Sequence, residues 1–124
     1  MQLLEEEELY LQGKGFEFTA LDRGAELHLV IHKFPLPTAY VPQNVDLLIR
    51  LPAGYPNAKP DMFWTDPWVS LASGQAPQAA NVKEIYGDRP WQRWSRHWNA
   101  KWRPGVDGIE TFLGSIRNEL QKGV

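Results

Sequence analysis

The sequence predicts an α+β fold: an antiparallel β-meander with a helix before it and a helix packed on the sheet after it. Three observations carry this. Apolar and polar residues alternate in three stretches between residues 16 and 50, separated by turn-forming residues. A glutamate-rich segment of good helix formers precedes them. At the far end Ile109, Phe112, Leu113, Ile116 and Leu120 fall on one face at helical spacing.

Taken in order, residues 3–11 form the first helix, and Gly13 closes it. Phe16, Phe18 and Ala20 alternate with Glu17 and Thr19, as a half-buried strand requires. Asp22-Arg23-Gly24 is a turn. Leu27, Leu29 and Ile31 alternate with Glu26, His28 and His32 in a second strand. Pro35, Pro37 and Pro42 interrupt the chain before a third, in which Val45, Leu47 and Ile49 alternate with Asn44, Asp46 and Arg50. Residues 62–65 add an edge strand after a proline loop. Residues 66–90 have no surviving period and read as a long loop; a stretch of this length in a compact domain is usually functional or disordered, and its position favours function. The last helix runs over residues 107–122. Asp107 stands at its cap with Glu110 three residues on, close to a capping box, and Lys122 and Gly123 suit its end.

The chain of 124 residues reads as one domain, 1–124, large enough for a core without metal or disulfide staples. Its net charge of −2 argues against non-specific nucleic-acid binding, which needs a basic footprint. No apolar run approaches a membrane span, and the N-terminus lacks the basic and apolar regions of a secretory signal, so a cytoplasmic setting is expected. With no cysteine there is no disulfide framework, no thiolate metal site and no cysteine nucleophile. No Walker or other phosphate-loop pattern is present, so no cofactor is expected. His28 and His32 share a strand face with Glu26, but four strand residues span roughly 13 Å, too far for both to ligate one metal.

Charge and aromatics are unevenly placed. Glutamates fill positions 5–8. Arg89, Arg93, Arg96, Lys101 and Arg103 make a basic segment punctuated by Trp91, Trp94, Trp98 and Trp102. Two readings stand side by side: rings in the core with solvating arginines, or a recognition surface, since Trp and Arg most often anchor interfaces. On the second reading at least one of Trp91, Trp94 and Trp98 stands exposed.

Two stretches resemble the ubiquitin-conjugating (E2) family. Leu51-Pro52-Ala53-Gly54-Tyr55-Pro56, followed by Pro60 and Phe63, is similar to the E2 strand that ends in Tyr-Pro, its proline loop and the next short strand. Trp102-Arg103-Pro104, followed by Ile109, Leu113 and Ile116, is similar to the E2 Trp-x-Pro turn and the helix after it. The resemblance covers roughly residues 10–120 and is nearest to divergent bacterial E2-like proteins. It departs from the standard E2 in having neither the cysteine nor the upstream His-Pro-Asn tripeptide that orders the site.

In that family the nucleophilic cysteine lies shortly before the Trp-x-Pro turn. The matching window here, Arg93-Trp94-Ser95-Arg96-His97, offers a serine. A serine hydroxyl is a weak nucleophile that needs an adjacent base, and His97 lies two residues away, on the same side if the backbone is extended. The resemblance thus implies Ser95 as acyl acceptor and His97 as its base. Arg93, Arg96 and Asn99 are the candidates to stabilise an oxyanion, and Trp94 and Trp98 to contact a partner. The implied partners are a ubiquitin-like protein and an E1-like adenylating enzyme, which would activate the cargo separately. A non-catalytic E2 variant acting as a scaffold, an unrelated interaction module, and replacement of a native cysteine remain open on the sequence alone.

Overall fold

The computed structural model describes residues 1–98 and 100–122. In chain order it contains α1 (Glu5–Gly13), β1 (Glu17–Asp22), β2 (Glu26–Pro35), β3 (Tyr40–Val41), β4 (Asn44–Pro52), β5 (Phe63–Asp66), β6 (Ser70–Leu71), β7 (Val82–Tyr86), β8 (Arg89–Trp94) and α2 (Ile109–Lys122). Six strands form one sheet in the order β1-β2-β4-β5-β8-β7, every neighbouring pair antiparallel. The short β3 and β6 pair separately.

The expected meander is β1-β2-β4-β5. Gly24, at φ +84°, closes its first turn, and its N–H donates to Asp22 Oδ1. A bulge between Ile31 and Phe34, with Lys33 at φ +55°, lets β2 continue to Pro35.

The 66–90 stretch corrects the sequence reading: it is not a loop throughout. It carries β6, β7 and the turn of a β7–β8 hairpin. Gly87 and Asp88 both have positive φ, +59° and +62°, between the paired residues Tyr86 and Arg89. That is the turn whose twist matches the strands it joins. Pro90 is tolerated in β8 because the β5–β8 pairing runs only from Gln92 to Trp94, so nothing on that side needs the missing N–H.

One sheet face carries the main core. Leu29, Ile31, Leu47, Ile49, Phe63 and Trp94 pack there against Ile109, Phe112, Leu113, Ile116 and Leu120 of α2. The opposite face has a smaller apolar set, Val30, Leu48, Trp64 and Trp91, roofed by polar side chains rather than by a helix. Arg50 lies over the rings of Trp64 and Tyr86 while its guanidinium donates to Glu26. Arg89 lies over Trp91 and bridges Asp46 and Asp66.

Both ends of α2 are closed by distant residues. Asp107 does not serve as the cap: its carboxylate accepts from the backbone N–H and the guanidinium of Arg103, closing the preceding turn. The acceptor for the helix N-terminus comes from α1, where Glu7 Oε2 takes the Ile109 N–H at 2.8 Å. At the other end Tyr40 Oη donates to the Leu120 carbonyl at 2.8 Å, and Arg96 donates to that of Glu119 at 3.1 Å.

Candidate functional site

The site is assembled where the segment after β8 crosses the proline loop between β4 and β5. Trp102 Nε1 donates to the Pro56 carbonyl at 2.8 Å, and its ring sits beside that of Tyr55. Lys59 Nζ donates to the Trp98 carbonyl at 3.0 Å. His97 Nδ1 lies 2.9 Å from Asp61 Oδ2. Three contacts thus pin His97, Trp98 and Trp102 to Asp61, Lys59 and Pro56. Tyr55 anchors the loop from below by donating to Glu7. Burial, then the Glu7 carboxylate, push the Tyr55 hydroxyl far above its ordinary range, so it remains a donor.

Ser95 follows the last residue of β8 and is half-buried. Its backbone N–H donates to the Ala79 carbonyl at 2.9 Å, and the Arg96 N–H donates to Trp94 O at 2.8 Å, closing a tight turn around Ser95. The extended backbone assumed for residues 95–97 is therefore absent. Among the described residues no hydrogen bond joins Ser95 to His97, and none engages the Ser95 hydroxyl. His97, with its side chain 58% exposed, pairs with Asp61 instead. Its Nε2 makes no hydrogen bond among the described residues.

The arginines lie elsewhere than an oxyanion would need. Arg93 pairs with Glu84 on the polar sheet face, at 3.0 Å. Arg96 spends its guanidinium on the Glu119 and Gln78 carbonyls and lies over Trp94. With Arg89 held by Asp46 and Asp66, and Arg103 by Asp107, the four arginines of the basic segment are internally paired.

The expected exposed tryptophan is absent at positions 91 and 94, which are 3% and 0% exposed. Trp94 stacks on Phe63 and donates to Thr65 Oγ1, so it supports the site from within the core. Trp98 is half-buried, stacked on Phe112 and edge-on to Trp102. An exposed tryptophan lies outside that set, Trp68, at 46%. Asn99 lies outside the described residues.

The loop leading to Ser95 is held by one buried amide. Gln92 Oε1 accepts the Val69 N–H at 2.7 Å, and Nε2 donates to the carbonyls of Val69 and Ala80 at 3.1 and 2.8 Å. This fixes residues 69–80 on the sheet and, through Ala79, the backbone of Ser95. Beside His97 and Trp98 a groove of about 410 Å³ opens onto α2, lined there by Thr111, Ser115, Asn118 and Lys122.

Sequence reasoning missed Asp61, Gln92 and Glu7. Asp61 lies 36 residues from its histidine and Glu7 102 residues from the helix it caps, so no local pattern marks either. The β7–β8 hairpin was available from Gly87-Asp88 between two strand-like runs.

An antiparallel sheet with one helix before it and one after it in the chain, and a Tyr-Pro loop locked to a Trp-x-Pro turn, defines an E2-like protein. The model described as Prokaryotic E2 family E matches residues 3–123, and the chain belongs to that family. No curated protein and no solved structure matches it. Membership gives it an E2-like role in a bacterial ubiquitin-like pathway, whose general partners are a ubiquitin-like protein and an E1-like enzyme. No helix among the described residues is long and apolar enough to cross a membrane.

Proposed function

We propose that this chain, acting as a single domain over 1–124, carries the C-terminus of a ubiquitin-like protein as an oxyester on Ser95. The observation that carries the reading is the position, in the segment before the Trp102 turn, of a half-buried serine whose hydroxyl makes no hydrogen bond among the described residues. In the charging step Ser95 Oγ bonds to the carbonyl carbon of the activated C-terminus. The hydroxyl proton passes to His97 Nε2, and the bond from that carbon to the activating group breaks. The departing group then takes the proton from the imidazolium. A groove of about 410 Å³ opens beside His97 and Trp98, just after Ser95 in the chain, and offers a place for an extended tail. A cytoplasmic setting goes with this reading, because adenylation of the cargo consumes ATP.

A second reading, a non-catalytic E2 variant that binds the ubiquitin-like protein or the E1-like enzyme as a scaffold, is favoured by the internal pairing of Arg93 and Arg96. Neither guanidinium is free to meet an oxyanion. Intact-mass measurement after incubation with the E1-like enzyme, cargo and ATP separates the two. The carrier gains the mass of the cargo less one water. That species survives reducing agent, is released by hydroxylamine, and is absent from Ser95→Ala. A Ser95→Ala chain that is charged normally removes Ser95 as the acceptor, and a wild-type chain that is never charged leaves the scaffold.

A further inference from the structure

His97 hangs on the surface of the proline loop by one contact, and that contact is chemically directional. Asp61 Oδ2 is 2.9 Å from Nδ1. A carboxylate only accepts, so Nδ1 carries a proton and the neutral ring leaves Nε2 as its acceptor. The other Asp61 oxygen, Oδ1, is buried with no hydrogen-bond partner among the described residues, so nothing else draws on this carboxylate. The ring is mostly exposed while its anchor is held on the short segment between Pro60 and β5. Lys59, two residues before Asp61, donates to the Trp98 carbonyl and fixes the chain immediately after the histidine. A histidine with one nitrogen fixed by a carboxylate and the other turned to solvent is arranged to take a proton from a group that arrives from outside.

We infer that the Asp61–His97 pair serves the acceptor step, with a primary amine such as a lysine side chain as the incoming group and Asp61 as the positioning residue. This rests on the oxyester reading of Ser95. The amine nitrogen bonds to the ester carbonyl carbon, and His97 Nε2 takes the proton the nitrogen sheds. The bond from that carbon to Ser95 Oγ breaks, and the imidazolium returns the proton to Oγ. An amide and a free serine result, with the histidine neutral again. Asp61 steadies the imidazolium between these transfers and holds the tautomer that begins them.

The first test needs no cargo. Nitrogen-15 shifts of the His97 ring, recorded on the uncharged protein where the ring is neutral, should show the proton on Nδ1. Asp61→Asn should lose that preference, because its amide can donate to Nδ1, and Asp61→Glu should restore part of it. Asp88→Asn, at the exposed hairpin turn, is the control. A wild-type ring protonated on Nε2, or an Asp61→Asn ring unchanged from wild type, overturns the assignment of Asp61. The second test follows the loss of cargo from the charged chain to free lysine. Asp61→Asn and His97→Ala should slow it by on the order of a hundredfold, and Asp88→Asn should not. Equal rates in all variants overturn the catalytic role even if the tautomer behaves as expected. If no charged species forms, it is the oxyester reading that fails, and with it the acceptor step, while the ring shifts still decide what Asp61 does to His97.

Discussion

Replacing Gln92 by leucine tests how the chain before Ser95 is held. The side chain is 1% exposed, Val69 is 0% and Ala80 1%, so water cannot take the place of the lost amide. The change leaves the Val69 N–H without its 2.7 Å acceptor and the carbonyls of Val69 and Ala80 without their donors. A buried unsatisfied donor costs about 1–3 kcal/mol. Orphaned carbonyls cost less, about 1 kcal/mol each, since they tolerate under-satisfaction better. Thr65 Oγ1 also loses its 3.2 Å acceptor, Gln92 Oε1, but still accepts from Trp94 Nε1, so its loss is small. The expected destabilisation is about 3–5 kcal/mol, a large part of the roughly 5–15 kcal/mol by which domains are stable. Urea unfolding at equilibrium should show a lower midpoint with an unchanged slope. Hydrogen exchange should show the Ser95 amide, bonded to Ala79, losing protection ahead of the β2–β4 pair. A loss below about 1 kcal/mol with Ser95 still protected would refute the view that this amide holds the strap and, through it, the serine.

Glu7→Ala removes the acceptor for the Ile109 N–H and orphans the half-buried Tyr55 hydroxyl; a loss of about 2 kcal/mol is expected by urea unfolding, with the first turn of α2 exchanging faster. Leu113→Ala empties a site that is 0% exposed against the sheet and should cost about 2–5 kcal/mol, whereas Trp68→Ala, at an exposed position, should stay within about 0.5 kcal/mol of wild type. Acid should weaken the polar sheet face. A hydrogen bond from Arg50 chiefly holds Glu26 below its ordinary value of 4.5, against partial burial. Burial raises Asp46 and Glu84, but Arg89 and His32 outweigh it at Asp46, and Trp64, Tyr86 and Arg93 do so at Glu84, so both end below their ordinary 3.8 and 4.5. A depressed folded value means stability that is present in full above the unfolded value and lost as pH falls through the folded one. Unfolding free energy should therefore be flat down to about pH 5 and fall below about pH 4.5. A flat profile down to pH 3 would show these ion pairs to be inert.

Periodicity determined the parts of the fold whose information is local. The alternation in β2 and β4 and the apolar stripe of α2 name the buried faces, because a strand repeats every second residue and a helix nearly every fourth. Ile109, Leu113 and Ile116 are buried where that stripe puts them. The Tyr55-Pro56 and Trp102-Arg103-Pro104 stretches likewise carry the family in short runs of chain. What a single residue type could not say is which partner it would find. Arg93 and Arg96 read as free cations until the sheet brought Glu84 to one and the end of α2 to the other. His97 read as a neighbour of Ser95 because it lies two positions further along the sequence. The turn around Ser95 and the approach of Asp61 gave the ring another partner, set by the docking of the proline loop. Asp107 read as a cap, yet Arg103 claimed it and Glu7 supplied the helix from the other end of the chain. Polar groups must be satisfied wherever folding buries them, and the group that satisfies each is chosen by proximity in space, which only the packed tertiary structure decides.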